Sequence, residues 1–165
     1  RQHGIVTTGP CAGGRSFARQ RGSLVELLAE GGRLAARKGF RLNLEPLNTE
    51  VDHAGYFLNS AQDGLAIIKE VGLDNVKLIY DVYHMGIMGG NLTAFIEANI
   101  RWIGHFHVAG IPGRHEPFEG ETNYPFLLDR IEKAGYTGAI GLEYVPRLES
   151  QESLSKTRVY LSSGR

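Results

Sequence analysis

Four short apolar runs in this chain end in residues able to bind a cation or move a proton: Glu45, Asp81, His107 and Glu143. The runs are Arg-Leu-Asn-Leu-Glu-Pro at 41–46, Val-Lys-Leu-Ile-Tyr-Asp-Val-Tyr-His at 76–84, Trp-Ile-Gly-His-Phe-His-Val-Ala at 102–109 and Ala-Ile-Gly-Leu-Glu-Tyr-Val at 139–145. Three carboxylates and one imidazole, with positions left for water or substrate oxygen, suit a hard or borderline divalent ion such as Mg²⁺ or Mn²⁺. Zn²⁺ is less favoured, because it prefers more nitrogen or sulfur and Cys11 lies outside the constellation. Glu45 and Glu143 suggest the reaction type. Two carboxylates beside a bound α-hydroxycarbonyl can take a proton from one carbon and return it to the next through an enediolate, while the ion polarises both oxygens.

Either each of the four caps its own loop or, as the pattern favours, they meet at one point, for which the runs must be strands of a single sheet. Between them lie segments with helical periodicity: Leu24, Leu27, Leu28, Leu34 and Ala35, then Leu65, Ile67, Ile68 and Val71, then Phe95, Ile96 and Ile100, then Phe126, Leu127, Leu128 and Ile131. Alternating strands and helices predict parallel β/α units, whose strands open on one face where ligands bind. His3 to Thr8 reads as a further strand feeding a Gly-rich loop, and the segment after Leu148 reads as a terminal helix. About five parallel strands and four intervening helices are therefore expected. A closed (β/α)8 barrel needs eight of each in roughly 250 residues. With Arg1 in place of an initiator Met, the expectation is an N-terminally truncated piece of such a barrel, forming one domain over 1–165. An open five-stranded sheet is the alternative.

Around the four residues, His84 at the same rim is a candidate substrate contact, with a backbone-bonded loop or helix-start histidine as the alternative reading. His105 shares a strand face with His107 and lies deeper, as an interior histidine or a support for it. Arg114, in the turn-rich loop 109–117, carries a planar fork suited to a substrate carboxylate; otherwise it braces the loop against Glu116 or Glu119. Asn48, Asp52, His53 and Tyr56 could form an opposite wall, but a structural role is the favoured reading of each, Asp52 as the cap of a helix beginning near Gly55.

Composition excludes several classes. In 165 residues, 18 basic and 18 acidic side chains give a formal charge of zero, so no field gathers nucleic acid or an anionic membrane. The 42% hydrophobic content is enough for a core, and no apolar stretch approaches the roughly 18–20 residues of a membrane span. A soluble, cytoplasmic protein is expected. The single Cys11 cannot form an internal disulfide and reads as a bystander.

Leu-Glu-Pro-Leu-Asn (44–48), Gly-Tyr-Phe-Leu-Asn (55–59), Tyr-Asp-Val-Tyr-His (80–84), Pro-Gly-Arg-His-Glu-Pro (112–117), Asn-Tyr-Pro-Phe (123–126) and Gly-Leu-Glu-Tyr (141–144) occur in this order. On these motifs the chain resembles the hydroxypyruvate isomerase family, within the xylose-isomerase-like TIM barrels, from about Leu24 to Pro146. The resemblance implies a divalent-metal (β/α)8 isomerase with ligands on Glu45, Asp81, His107 and Glu143, and Glu45 and Glu143 as the acid/base pair. It implies hydroxypyruvate, converted to tartronate semialdehyde, as the small-molecule substrate. In one departure, hydroxypyruvate isomerases often carry Gln at the position of His107, whereas epimerase-like relatives carry His. A ketose 3-epimerase or other sugar isomerase is thus the nearest alternative. An apurinic-site endonuclease on the same barrel is disfavoured by neutral charge and few further strand-end histidines. An inactive half-barrel and a homo-oligomer both remain open.

Overall fold

The structure is a computed structural model and describes residues 2–163. Strands β1 (His3–Val6), β2 (Arg41–Leu44), β3 (Val76–Asp81), β4 (Ile103–Val108) and β5 (Ile140–Leu142) lie side by side in sequence order, and every pairing is parallel. Helices α1 (Phe17–Ala36), α2 (Ala61–Val71), α3 (Val82–Met88), α4 (Leu92–Asn99), α5 (Tyr124–Lys133) and α6 (Ser150–Ser162) follow or join them. Five parallel strands and a terminal helix match the sequence expectation. Helix α3 does not, because the run 76–84 breaks at Asp81 and its last residues wind into a helix.

One face of the sheet carries Leu44, Val76, Leu78, Tyr80, Phe106 and Val108 against Leu65, Ile68, Ile96, Leu127 and Ile131 of the helices, all buried in one cluster. Such burial is what drives β/α units together, at about 25 cal/mol per Å² of apolar area. In α1 only part of the expected apolar set is used: Leu28 is buried, but Leu27 and Leu34 are exposed. The helix turns the face of Leu24 and Leu28 inward, and its remaining leucines have no neighbour among the described residues to bury them.

The opposite face is polar and carries Asn43, Glu45, Asp81, His105 and His107. A register shift between Leu78 and Ile79 inserts one extra residue into β4, so that Leu78 pairs with Ile103 but Ile79 pairs with His105 and Asp81 with His107. The extra residue is Gly104. A Cβ there would lie 2.1 Å from Asn43 Oδ1 and 2.7 Å from Lys77 Cβ, so only glycine fits this bulge. Gly141, paired with His107 across β5, is equally confined: its Cβ would meet His107 Cδ2 at 2.7 Å.

Loop structure is fixed by capping. Ser60 Oγ accepts from Asp63 N and starts α2 at Ala61, so the helix expected near Gly55 begins later and Asp52 does not cap it. The fully buried Glu116 accepts hydrogen bonds from Arg147 N, Leu148 N and Ser153 Oγ, tying the loop after β4 to the start of α6. No helix among the described residues is long and apolar enough to cross a membrane.

Candidate active site

Glu45 follows β2, Asp81 ends β3, His107 lies in β4 and Glu143 follows β5, so four consecutive strands each deliver one side chain to the same end of the sheet. A ligand atom from each lies within 4.8 Å of those from the others. His107 Nδ1 is at the centre, 3.6 Å from Glu45 Oε1, 3.9 Å from Asp81 Oδ2 and 3.5 Å from Glu143 Oε2. Glu45, Asp81 and His107 are buried; Glu143 reaches the surface.

Asp81 does two jobs. Its Oδ1 accepts from Tyr83 N at 2.7 Å and His84 N at 3.2 Å, capping α3, which leaves Oδ2 facing the cluster. Glu45 Oε1, Asp81 Oδ2 and His107 Nδ1 are buried without a hydrogen-bond partner, a costly state for polar atoms. Burial, with the charge of Glu45 next, pushes the Asp81 carboxyl up to about 7. Burial opposes charge on His107, but the carboxylates of Glu143 and Glu45 outweigh it and raise the imidazole to about 10. His107, together with Arg114, holds Glu143 down at about 2. The upward shifts of Asp81 and His107 both include the negative charge of the neighbouring carboxylates, gathered in a small volume. Unpartnered oxygens, a central nitrogen and that charge balance fit a divalent cation, which Glu45, Asp81, His107 and Glu143 could hold.

The other candidates surround this cluster. His84 is fully buried in the first turn of α3, its Nε2 unpartnered and 3.7 Å from Asp81 Oδ2. Burial, then the charge of Arg114, lowers it to about 3, so the ring is neutral. Arg114 braces neither Glu116 nor Glu119: its guanidinium pairs with Glu143 and lies over the Tyr83 ring, 5.3 Å from the centroid. Glu119 faces Arg147 instead, at 3.6 Å. His105 packs edge-on against His107 with ring centroids 5.0 Å apart, and burial, then the charge of His107, lowers it to about 4.

On the far side, Asp52 Oδ2 accepts from Asn48 Nδ2 and from Tyr83 Oη, both at 2.8 Å. Asn48 is fully buried and also touches His84. Sequence reasoning passed over Tyr83, though the spacing Asp81-x-Tyr83-His84 is that of a cap followed by a first helical turn.

The chain has relatives among known proteins. It is 44% identical over 144 residues to a 2-oxo-tetronate isomerase of Cupriavidus necator, covering 87% of this chain and 55% of the relative. Its identity to a hydroxypyruvate isomerase of Escherichia coli is 36% over 132 residues, covering 80% and 51%. The chain spans about half the length of these curated relatives. Among solved structures, an AP endonuclease, family 2 from Brucella melitensis superposes with a TM-score of 0.90 at 33% identity, covering 96% of this chain and 61% of that one. The model of the xylose isomerase-like TIM barrel matches residues 3–159, and the protein is a member of that family.

Proposed function

We propose that this protein is a divalent-metal-dependent isomerase of a small 2-oxo-3-hydroxy acid, with hydroxypyruvate converted to tartronate semialdehyde. The observation that carries the reading is the convergence of Glu45 and Glu143 on His107 Nδ1, with Arg114 paired to Glu143 at the same rim. Relatives named for hydroxypyruvate and for 2-oxo-tetronate support an acid substrate of this class.

Glu45, Asp81, His107 and Glu143 would hold the cation, Mg²⁺ or Mn²⁺ in preference to Zn²⁺ on the oxygen-rich donor set. When bound, it supplies Lewis-acid polarisation of the substrate's adjacent oxygens. Arg114 offers its fork to the substrate carboxylate, and His84 meets a substrate oxygen from within α3. One glutamate of the pair Glu45/Glu143 removes a proton from C3, giving an enediolate, and the other returns a proton to C2. The hydroxyl on C3 gives up its proton as O3 becomes the aldehyde oxygen, and O2 gains one. Glu45 is buried while Glu143 reaches the surface, so the proton held on Glu143 exchanges with solvent.

The chain, loaded with Mn²⁺ and given hydroxypyruvate in D₂O, is expected to form tartronate semialdehyde carrying solvent deuterium at C2. Glu143→Gln is expected to lower kcat by about 10²–10⁴-fold. Unchanged hydroxypyruvate with the parent chain, or full turnover by the variant, refutes the reading. A second reading, ketose 3-epimerase, is favoured by His107 itself, which replaces the Gln frequent in the hydroxypyruvate branch. Turnover of free ketoses in preference to both hydroxypyruvate and 2-oxo-tetronate would select it.

A further inference from the structure

Asn48 has every polar atom committed. Its Oδ1 accepts from Val51 N at 3.1 Å and Asp52 N at 2.9 Å, which fixes the orientation of the amide. The Nδ2 group is therefore the end that faces the helix side of the loop, where it meets Asp52 Oδ2 at 2.8 Å and His84 Nδ1 at 2.7 Å. Asn48 N also points at His84 Nδ1, at 3.3 Å. Its carbonyl oxygen accepts from His53 N at 3.1 Å.

Two N–H donors thus converge on one ring nitrogen, and neither can act as an acceptor. His84 Nδ1 must be the bare, accepting nitrogen, which in a neutral imidazole puts the proton on Nε2. That nitrogen is the one without a partner, aimed at the cluster of Asp81. We propose that Asn48 is a positioning residue that locks His84 as its Nε2–H tautomer, so that His84 enters the site as a hydrogen-bond donor to a substrate oxygen and not as a base or a metal ligand. The donor role rests on the isomerase reading; the tautomer does not.

A further consequence concerns the second group of potential ligands, Asp52, His53 and His84, whose ligand atoms lie within 4.8 Å of one another. Asp52 Oδ2 already accepts two hydrogen bonds, and His84 has no free lone pair once Nδ1 is occupied and Nε2 protonated. In that tautomer His84 offers a second ion no ligand atom, and the trio is reduced to Asp52 and His53.

Nitrogen-15 NMR of the imidazole rings in the chain tests the assignment, with His84 identified by the signals lost in His84→Gln. The expected spectrum has an unprotonated Nδ1 and a protonated Nε2, unchanged when Zn²⁺ is added as a probe while the His107 signals move. A proton on Nδ1 in the parent chain, or loss of the Nε2 proton on adding Zn²⁺, overturns the proposal. Asn48→Asp, an acceptor in place of the donor, is expected to draw the proton to Nδ1. The parent spectrum decides the tautomer whether or not that variant folds. In the hydroxypyruvate assay, Asn48→Ala is expected to lower kcat/KM by roughly 10–100-fold, as for other residues that orient a site imidazole. A variant that keeps Nε2–H and still loses turnover refutes the positioning role. No turnover in the parent chain strikes the isomerase reading alone and leaves the tautomer standing.

Discussion

Asp81 shows how one side chain can serve stability and function in opposition. Its Oδ1 caps α3 and its Oδ2 adds a third negative charge beside Glu45 and Glu143. Asn keeps a capping oxygen and removes the charge, so Asp81→Asn is expected to raise the melting temperature of the metal-free chain. The same change should abolish the stabilisation that Mn²⁺ gives the parent, since binding to the native state alone raises Tm. Thermal melts of both proteins with and without Mn²⁺ check this; a lowered metal-free Tm would contradict it. At this scale the sequence was informative because strand ends are marked by composition: Glu45, Asp81, His107 and Glu143 were legible as a group and do converge. Their surroundings were less so. Arg114 finds Glu143 through the curl of the sheet, 29 residues on, and no spacing rule connects the two.

Elements here are held by a few polar anchors that hydrophobic periodicity cannot reveal. Glu116, fully buried, accepts hydrogen bonds from three donors, two backbone N–H groups entering α6 and the Ser153 hydroxyl in its first turn. Burial opposes its charge, but the donors from Leu148 and Arg147 outweigh it and bring the carboxyl down to about 2. A carboxylate depressed in the folded state stabilises above its unfolded pKa, near 4.5, and that contribution disappears as pH falls towards 2. Urea unfolding is expected to show a loss of stability across this window that is absent in Glu116→Gln, which itself costs about 1–3 kcal/mol at neutral pH. Equal acid sensitivity in both proteins would refute the assignment. The bulge in β4 makes a second demand: Gly104→Ala is expected to destabilise by about 1–3 kcal/mol, through overpacking against Asn43 and Lys77, in the same measurement. The sequence placed five strands and the terminal helix correctly. In the strand-sized run 76–84, Val82 and Tyr83 favour β structure, yet the cap at Asp81 winds them into α3, and the alternative of a helix-start His84 is the one the structure shows.

The whole molecule is electrically balanced, with 18 basic and 18 acidic residues. That matters because one similar structure is an AP endonuclease, family 2. Phosphate-backbone binding requires clustered cations and falls steeply with salt. Fluorescence anisotropy with an abasic-site duplex is expected to show no salt-sensitive binding, and strong binding relieved by added salt would revive a nuclease reading. The sheet has two open edges among the described residues, β1 and β5, and Ile5 and Leu142 on them are partly exposed. Composition gave no sign of which apolar side chains these would be, since burial at an edge depends on what lies alongside. The inserted residue of β4 has a reach well beyond its own strand. In a sheet, neighbours in register share a face, and faces alternate residue by residue. Were the bulge closed with Gly104 kept and paired to Ile79, Tyr80 would pair with His105 and Asp81 with Phe106; the benzyl ring would point among the carboxylates and the imidazole of His107 into the helical core. The single unpaired residue therefore sets the parity of the strand: without the bulge, inside and outside would be exchanged and the central nitrogen of the site lost without altering any of its four residues.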